Sequence, residues 1–571
     1  MNLTAEPYGL NGSPPPDNIW KGSCDYPGCG LVSVSEIPDP LPGERPTAYA
    51  DRAGRWYAER VAPAHKKEYG QYLTPAPLAN FMASHLAPDK ASVRILDPGA
   101  GAGVLACAVA EHFAQCPKRK VRRLLIEAYE TDAGLAAVLK SSLNFLTRVM
   151  GTKGLVIEAR VVTEDFILSN AGILGAAATL FHASEVPARF DAVISNPPYF
   201  KLPKSDPRAR AAAEIVHGQP NIYALFMAVS AQLLAPQGQF VFITPRSFAS
   251  GPYFRRFRQR FFETMRPEKV HVFESRREAF DRDKILQENL IIVARRVDGW
   301  RPREDSANVS VSFSEGFRDL DKVRPRAVPL DSILDLHVAG NVLRVPTTEA
   351  DDQAQHLVRS WNGSLHAFGM EISTGPVVPF RCRGLLALTG DIAVTHAPLL
   401  WMQHVHSMSI RWPALRLKKP QYILRAENAL PLLRPDKNYV LLRRFSAKEE
   451  RRRLTAAPLM GGTLGSPWLG IENHLNYIYR PGGELTQDEA WGLAALYSSE
   501  LMDRYFRILN GSTQVSATEL RAMPLPPLSV IKRLGHEARR LSTSAHDPLD
   551  AWVTAHLLET HPDERKAVAI G

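Results

Sequence analysis

Residues Ile95-Leu96-Asp97-Pro98-Gly99-Ala100-Gly101-Ala102-Gly103-Val104-Leu105 read as a strand, a turn of small residues and the first turn of a helix. Glycine lets a backbone approach a ligand without Cβ interference, and a helix N-terminus faces that ligand with free N–H groups. The spacing is G-x-G-x-G, whereas a dinucleotide fingerprint reads G-x-G-x-x-G, and the turn opens on an acidic residue. A carboxylate there would repel a pyrophosphate. Asp97 at a strand end instead suits the amino group of an aminoacyl ligand, which points to S-adenosylmethionine, with Gly99 and Gly101 in the ligand-facing turn.

Around this stretch, short β-branched or Leu-rich runs alternate with helical patterns. The clearest runs are Val93–Leu96, Leu124–Tyr129, Ala192–Ser195, Phe240–Thr244 and Leu290–Ala294. Such alternation predicts an α/β fold with a doubly wound, mostly parallel, Rossmann-like sheet. The second run ends in Glu130, placed to take two ribose hydroxyls, while Asp132 reads as the cap of the next helix. A third acidic tip follows at Asp165-Phe166, where the carboxylate suits an adenine amino group and the ring its face. Each acid also has a plain reading as a helix N-cap. Three at successive strand tips after a glycine turn favour a cofactor site.

A fourth strand pattern runs Asp191-Ala192-Val193-Ile194-Ser195 into Asn196-Pro197-Pro198-Tyr199-Phe200. An exocyclic amine on adenine is a poor nucleophile, because its lone pair is delocalised into the ring. Two acceptors aimed at its hydrogens, the Asn196 side-chain oxygen and the Pro197 carbonyl, would draw the nitrogen toward tetrahedral geometry. Pro197 and Pro198 fix φ and restrict the residues before them, so the loop is pre-organised. Tyr199 offers a ring face for a base. No side chain needs to ionise, so catalysis is positioning plus electrostatics. The alternative reading, a proline-rich turn, leaves the flanking Asn and aromatic unexplained.

The chain has 571 residues, too many for one ordinary domain. Lys and Arg number 69 against 59 Asp and Glu, a net charge of +10 that fits a polyanionic partner. Its five cysteines are irregularly spaced; Cys24 and Cys29 lack a second Cys/His pair, so no metal site is expected and free thiols in a reducing compartment are. No apolar run spans a bilayer and no secretory signal is visible, which predicts an intracellular protein without membrane contact. The expected division is a flexible Pro/Gly-rich arm over 1–45, a catalytic domain over 46–310 and a second domain over 311–571. The run Lys448–Arg453 reads as a solvated helix face, and one helix is expected around Gln487–Leu509.

On these motifs the chain resembles the gamma-class adenine-N6 DNA methyltransferases of type II restriction–modification systems, and among them enzymes of the BsuBI and PstI type. Gamma order places one cofactor motif ahead of the glycine turn, matched by Tyr69-Gly70-Gln71-Tyr72-Leu73-Thr74-Pro75. The resemblance implies Tyr72 and Thr74 as cofactor contacts, beside Asp97, Gly99, Gly101, Glu130, Asp165 and Phe166. It also implies Phe280 as a second aromatic beside a flipped base. The long span from Glu130 to Asp165 looks like an insertion and weakens the alignment of Asp165.

The resemblance implies a methyltransferase sheet followed by a mixed α+β target-recognition domain, S-adenosylmethionine as cofactor and double-stranded DNA as partner. It further implies a separately encoded restriction endonuclease, a monomer, and a place in the bacterial cytoplasm near the nucleoid. A duplex hides the adenine amine, so the base must be flipped out while the second domain grips phosphates and reads base edges. Candidate readers are Arg381, His404, Arg411, Asn473, His474, Asn476, Gln514 and Ser516, though loops rich in Asn, Ser and Gly also form ordinary turns. RNA or protein-glutamine methylation by the same loop chemistry is the alternative. Glutamine enzymes are compact, and the large C-terminal half counts against them.

Overall fold

In the computed structural model, the central strands of the main sheet have both faces covered, which is why their sequences are nearly continuous in apolar residues. The structure describes residues 36–541 except 71–72, 88, 117–119, 175–188, 217–219, 274–287, 337–339, 393, 447–449 and 511–513, together with Val553 and Leu557. Tyr72, Phe280, Cys24, Cys29 and most of the expected N-terminal arm lie outside the described residues.

The main sheet contains β1 (Ser92–Asp97), β2 (Arg123–Tyr129), β3 (Val156–Val162), β4 (Phe190–Ser195), β5 (Leu234–Pro245), β6 (Met265–Phe273), β7 (Asn289–Arg296), β8 (Asn308–Ser314) and β9 (Arg326–Pro329). Their spatial order is β3-β2-β1-β4-β5-β7-β6-β8-β9. The strands from β3 to β5 in that order are parallel, and β7 is antiparallel to both β5 and β6. Alternate side chains feed two cores: Ile95, Ala192, Ile194, Val241 and Ile243 point to one face, and Leu96, Val193, Phe240 and Phe242 to the other. The first face is covered by helices Pro46–Arg60, Val104–Gln115 and Ala133–Thr152, the second by Ile222–Leu233. The order reverses between β1 and β4, paired through Ile95↔Ala192 and Leu96↔Val193. Ligands of open α/β sheets bind at such a switch point, beyond the carboxyl ends of the strands. Asp97 ends one of these strands and Asn196 follows the other.

Four expectations change. The span between Glu130 and Asp165 is no insertion: Asp132 caps helix Ala133–Thr152 by accepting from Gly134 and Leu135 N–H at 2.9 and 3.2 Å, and β3 follows. Asp165 therefore does stand at the tip of the third strand. A domain boundary at 310 would cut β8, which pairs with β6 and β9 in the main sheet. The described part of Lys448–Arg453 is not a helix face. Arg453 is buried, its guanidinium donating to Asn510 O at 2.7 Å, while Asp503 Oδ1 accepts from the Arg453 and Leu454 amides at 2.6 and 2.8 Å. The expected helix at Gln487–Leu509 breaks at Ser499, whose extended backbone lets its hydroxyl cap Glu500–Leu509 through Met502 N–H.

The C-terminal half is mixed α+β. One sheet joins Glu371–Thr374, Leu475–Tyr479, Tyr439–Arg443 and Ala456–Leu459, beneath helices Gln487–Ser498 and Leu528–Leu541. A second joins Leu386–Ala387, Tyr422–Leu424, His396–Leu400, Trp468–Ile471 and Leu433–Pro435. Arg246, buried after β5, ties the halves together. Its Nη2 donates to Arg507 O and Ile508 O at 2.9 and 2.7 Å, and its Nη1 meets the buried Glu288 carboxylate at 3.2 Å. Replacing one partner of a buried ion pair strands the other charge, so Arg246→Ala is expected to lose about 3–5 kcal/mol. Urea unfolding measures this, and a loss below about 1 kcal/mol would contradict the role of this tie.

Candidate active site

The glycine turn is shaped by its neighbours. Gly101 and Gly103 hold φ of +56° and +85°, and a Cβ at Gly103 would lie 2.8 Å from Leu139 Cδ1. A Cβ at Gly99 would point toward the catalytic loop, 3.8 Å from Pro198 Cδ and 3.9 Å from Asn196 O. Gly101 N–H donates to Glu130 Oε2 at 3.1 Å, and Asp132 N–H to Glu130 Oε1 at 2.9 Å. Burial raises the Glu130 carboxyl to about 7 against the pull of these amides.

Asp97 is fully buried, and among the described residues neither of its carboxylate oxygens has a hydrogen-bond partner. Burial pushes it up to about 8, opposed by the nearby Gly99 amide and helped by the charge of Glu130. A buried carboxylate without a partner is costly, and a ligand that brings a cation removes the cost. The ammonium of an aminoacyl sulfonium compound is a cation of that kind.

Asp165 carries the expected cap: its Oδ1 accepts from Ile167 and Leu168 N–H at 2.9 Å each, and its Oδ2 lies 3.5 Å from Arg208 Nη1. Phe166 is buried, its ring 5.1 Å from Tyr129 and 5.2 Å from Phe226. Arg208, which also lies over the Phe200 ring at 5.6 Å, gave no signal in the sequence. Its link to Asp165 and Phe200 is made only by the folded chain.

The loop after β4 is held from several sides. Asn196 is buried, and its Nδ2 donates to Thr74 Oγ1 at 3.2 Å. The Tyr199 hydroxyl lies 2.5 Å from Asn196 Oδ1 and 2.9 Å from Ile243 O, so one proton has two acceptors. Phe200 O accepts from Ile222 N–H at 2.9 Å, and Leu202 N–H donates to Pro220 O at 2.8 Å. Gly70, at φ +58°, sits against the same loop: a Cβ there would lie 2.7 Å from Phe200 Cδ1 and 3.2 Å from Pro198 Cβ. Leu73, between Gly70 and Thr74 in a different packing direction, faces Gly101, where an added Cβ would meet it at 3.3 Å. Thr74 is thus a contact of Asn196, a relation the sequence did not reveal. Tyr199 differs from expectation as well. It is 8% exposed and packs edge-on to Tyr223 at 6.2 Å, so the hydroxyl's two acceptors keep little of its ring open to a base in this conformation.

The expected base readers divide. Arg381 is exposed and lies over the exposed Phe380 ring at 5.4 Å, and Arg411 is exposed. Asn473 and His474 are partly exposed, with His474 Nδ1 paired to the buried Glu472 carboxylate. His404 is no base reader here: it is buried, its Nδ1 accepting from Trp401 N–H at 2.9 Å and its Nε2 bonded to Gln421 Oε1 at 2.9 Å. Asn476 is also buried, donating to Val515 O at 2.8 Å and accepting from Thr374 Oγ1 at 3.0 Å. Ser516 caps helix Ala517–Ala522 with Glu519, and the Gln514 carboxamide faces the Arg444 guanidinium, which its oxygen accepts from at 2.6 Å when the amide is oriented to satisfy both groups. For these four the ordinary reading, turn and core chemistry, holds. Among the described residues no cluster of His, Cys, Asp and Glu could hold a metal ion, and no helix is long and apolar enough to cross a membrane.

A β3-β2-β1-β4-β5-β7-β6 sheet with an unpaired acid at the tip of β1 and an Asn-Pro-Pro-Tyr loop at the tip of β4 defines an S-adenosylmethionine-dependent methyltransferase. Residues 163–280 match the model of the Eco57I restriction-modification methylase family. The chain is 32% identical over 473 residues to the type II methyltransferase M.BsuBI of Bacillus subtilis, covering 82% of this chain and 90% of that one. It is 29% identical to the type II methyltransferase M.PstI of Providencia stuartii, covering 83% and 90%. The chain belongs to the type II restriction–modification methyltransferases, and its activity is methylation of DNA from S-adenosylmethionine.

The raised Asp97 carboxyl contributes a pH dependence to the ligand-free protein and to binding. Asp97 ionises near 4 when unfolded and near 8 when folded, so its contribution to stability falls as pH rises from about 4 toward 8. A cationic ligand prefers the carboxylate, so binding releases a proton below pH 8. S-adenosylmethionine affinity is expected to rise up to about tenfold per pH unit between pH 6 and 8, and Asp97→Asn to remove most of that slope. Calorimetric titration across this range measures it. A flat profile in the unsubstituted protein would contradict the assignment.

Proposed function

We propose that the protein transfers the methyl group to N6 of a flipped-out adenine in duplex DNA. The observation that carries this reading is the doubly held Asn196 carboxamide at the switch point, beside the unpaired Asp97. Thr74 takes the Nδ2 end, so an incoming amine would meet Oδ1, which already accepts from the Tyr199 hydroxyl and has a second lone pair. When an amine N–H reaches Oδ1, the Tyr199 hydroxyl turns its proton to Ile243 O, 2.9 Å away, and stays in place. The Pro197 carbonyl accepts from the second amine hydrogen. Hydrogen bonds to both hydrogens localise lone-pair density on the nitrogen. As its bond to the methyl carbon forms, the methyl–sulfonium bond would break to leave a neutral thioether. The methylated nitrogen would then release one proton to solvent, so no residue need hold a charge. S-adenosylmethionine supplies an electrophilic methyl on a sulfonium centre.

The remaining residues bind and orient. Asp97 holds the amino group of the cofactor and Glu130 its ribose, with Gly99 and Gly101 allowing close approach. Asp165 accepts from its adenine amine through the oxygen that faces Arg208, beside Phe166. Tyr72 joins Thr74 at the cofactor, Pro198 fixes the loop, the inward-turned Tyr199 braces Asn196 rather than stacking on the base as expected, and Phe280 lies against the flipped base. Arg381, Asn473 and His474 remain as DNA contacts. The catalytic unit extends through β9, and the part beyond it reads the target sequence. The chain acts as a monomer on one strand at a time and protects its sites from a separately encoded endonuclease, in the bacterial cytoplasm. Likeness along most of the chain to type II methyltransferases favours DNA over RNA or glutamine as the substrate.

Single-molecule sequencing of genomic DNA from cells expressing the protein should reveal N6-methyladenine in one sequence motif. Asn196→Ala should lower transfer by about 10²–10³-fold while cofactor affinity stays within about threefold. An active Asn196→Ala variant would overturn the proposed role of this loop.

A further inference from the structure

The five-stranded sheet of the C-terminal half rests on a small core of Val377, Leu399, Trp401 and Ile423, against which Leu417 packs. From this core the turn at Ala414–Leu417 projects outward. It is held firmly: Ala414 N–H donates to Gln421 Oε1 at 2.7 Å, Gln421 Nε2 donates back to Ala414 O at 3.0 Å, and Leu417 N–H closes on Ala414 O at 3.0 Å. Gln421 is itself fixed by buried His404. Trp401 Nε1 donates to Pro420 O at 2.6 Å, and Lys419 lies 4.5 Å from the Trp401 ring.

Leu417 points inward from this turn, and Leu415, two residues earlier, is 99% exposed. A single exposed leucine means little by itself. Here it stands on a braced turn within a segment, 411–426, that contains Arg411, Arg416, Lys418, Lys419 and Arg425 and no carboxylate. Arg411, Arg416 and Lys418 are exposed. A rigid, purely cationic turn with one apolar side chain at its tip suits a polyanion with an apolar interior, which describes duplex DNA. Phosphates take the cations, and a leucine meets thymine methyl groups in a groove or enters a base step.

We propose that the Arg411–Lys419 turn is a DNA-contacting element, with Arg416 and Lys418 on phosphates and Leu415 against the bases. The proposal rests on the reading of this chain as a DNA methyltransferase. It also gives His404 a place as a positioning residue, holding the turn through Gln421.

The test uses the full chain and two duplexes of equal length, one carrying the motif found by genomic sequencing and one with that motif scrambled. Fluorescence anisotropy at several salt concentrations gives the affinities. Arg416→Ala/Lys418→Ala should weaken both duplexes about equally and flatten the log–log salt slope by about 2. Leu415→Ala should weaken the motif duplex about tenfold and leave the scrambled duplex within about twofold. Its thermal midpoint should be unchanged, since the side chain is 99% exposed. Equal loss on both duplexes with Leu415→Ala, or no loss on either, would overturn the base contact. An unchanged salt slope in the double variant would overturn the phosphate contacts. Methyl transfer to the motif duplex by the unsubstituted protein is measured alongside; its failure would instead strike the underlying reading.

Discussion

The Asn196 carboxamide is held at both ends, Nδ2 by Thr74 and Oδ1 by the Tyr199 hydroxyl, and the catalytic half is arranged to make this possible. Thr74 lies far upstream in sequence, so the segment before the glycine turn must fold back across the end of the sheet. Gly70 allows it to do so, since a side chain there would collide with Phe200 and Pro198. Tyr199 must turn inward to reach both Asn196 and Ile243, which places its ring in the core. The pairing of β1 with β4 then sets this loop beside Asp97. A carboxamide with fixed orientation presents an acceptor at no further cost in side-chain entropy, as positioning catalysis requires.

The neighbouring site is built on the opposite principle. Asp97 is buried, unpaired and raised to about 8, so it carries an unmet demand for positive charge. Glu130, raised to about 7, is partly relieved by the amides of Gly101 and Asp132. One strand tip therefore stores a polar deficit that a cationic cofactor fills, and the next offers an acid already shaped by backbone donors. Their different environments match the different groups proposed for them, an ammonium and a pair of hydroxyls.

The catalytic half was largely legible because its signals are local: apolar runs that end in an acid, a glycine turn and a proline-fixed loop. Even there, the pairing of Thr74 with Asn196 and the bridge from Asp165 to Arg208 were hidden, since both join segments distant in sequence. The span after Glu130 was misjudged for its length, though it is one helix and one strand. The last two strands of the sheet, β8 and β9, were missed because polar residues interrupt their pattern, which moved the expected boundary into β8. In the C-terminal half, polar residue types were a poor guide to exposure. His404, Asn476 and Arg453 are interior hydrogen-bonding residues, and the turn at Ala414–Leu417 carries its most exposed side chain on an apolar residue.

The structure thus combines a carboxamide held at both ends, a buried acid with a polar deficit and a basic, exposed turn in the C-terminal half, to which the proposal gives the substrate amine, the methyl donor and the duplex. The central claim is that the acceptor pair acts on the amine of adenine. Digestion of plasmid DNA treated with the purified protein and labelled S-adenosylmethionine, followed by mass spectrometry of the nucleosides, tests it most directly. The account predicts label in N6-methyldeoxyadenosine; label confined to a methylated cytosine would contradict it.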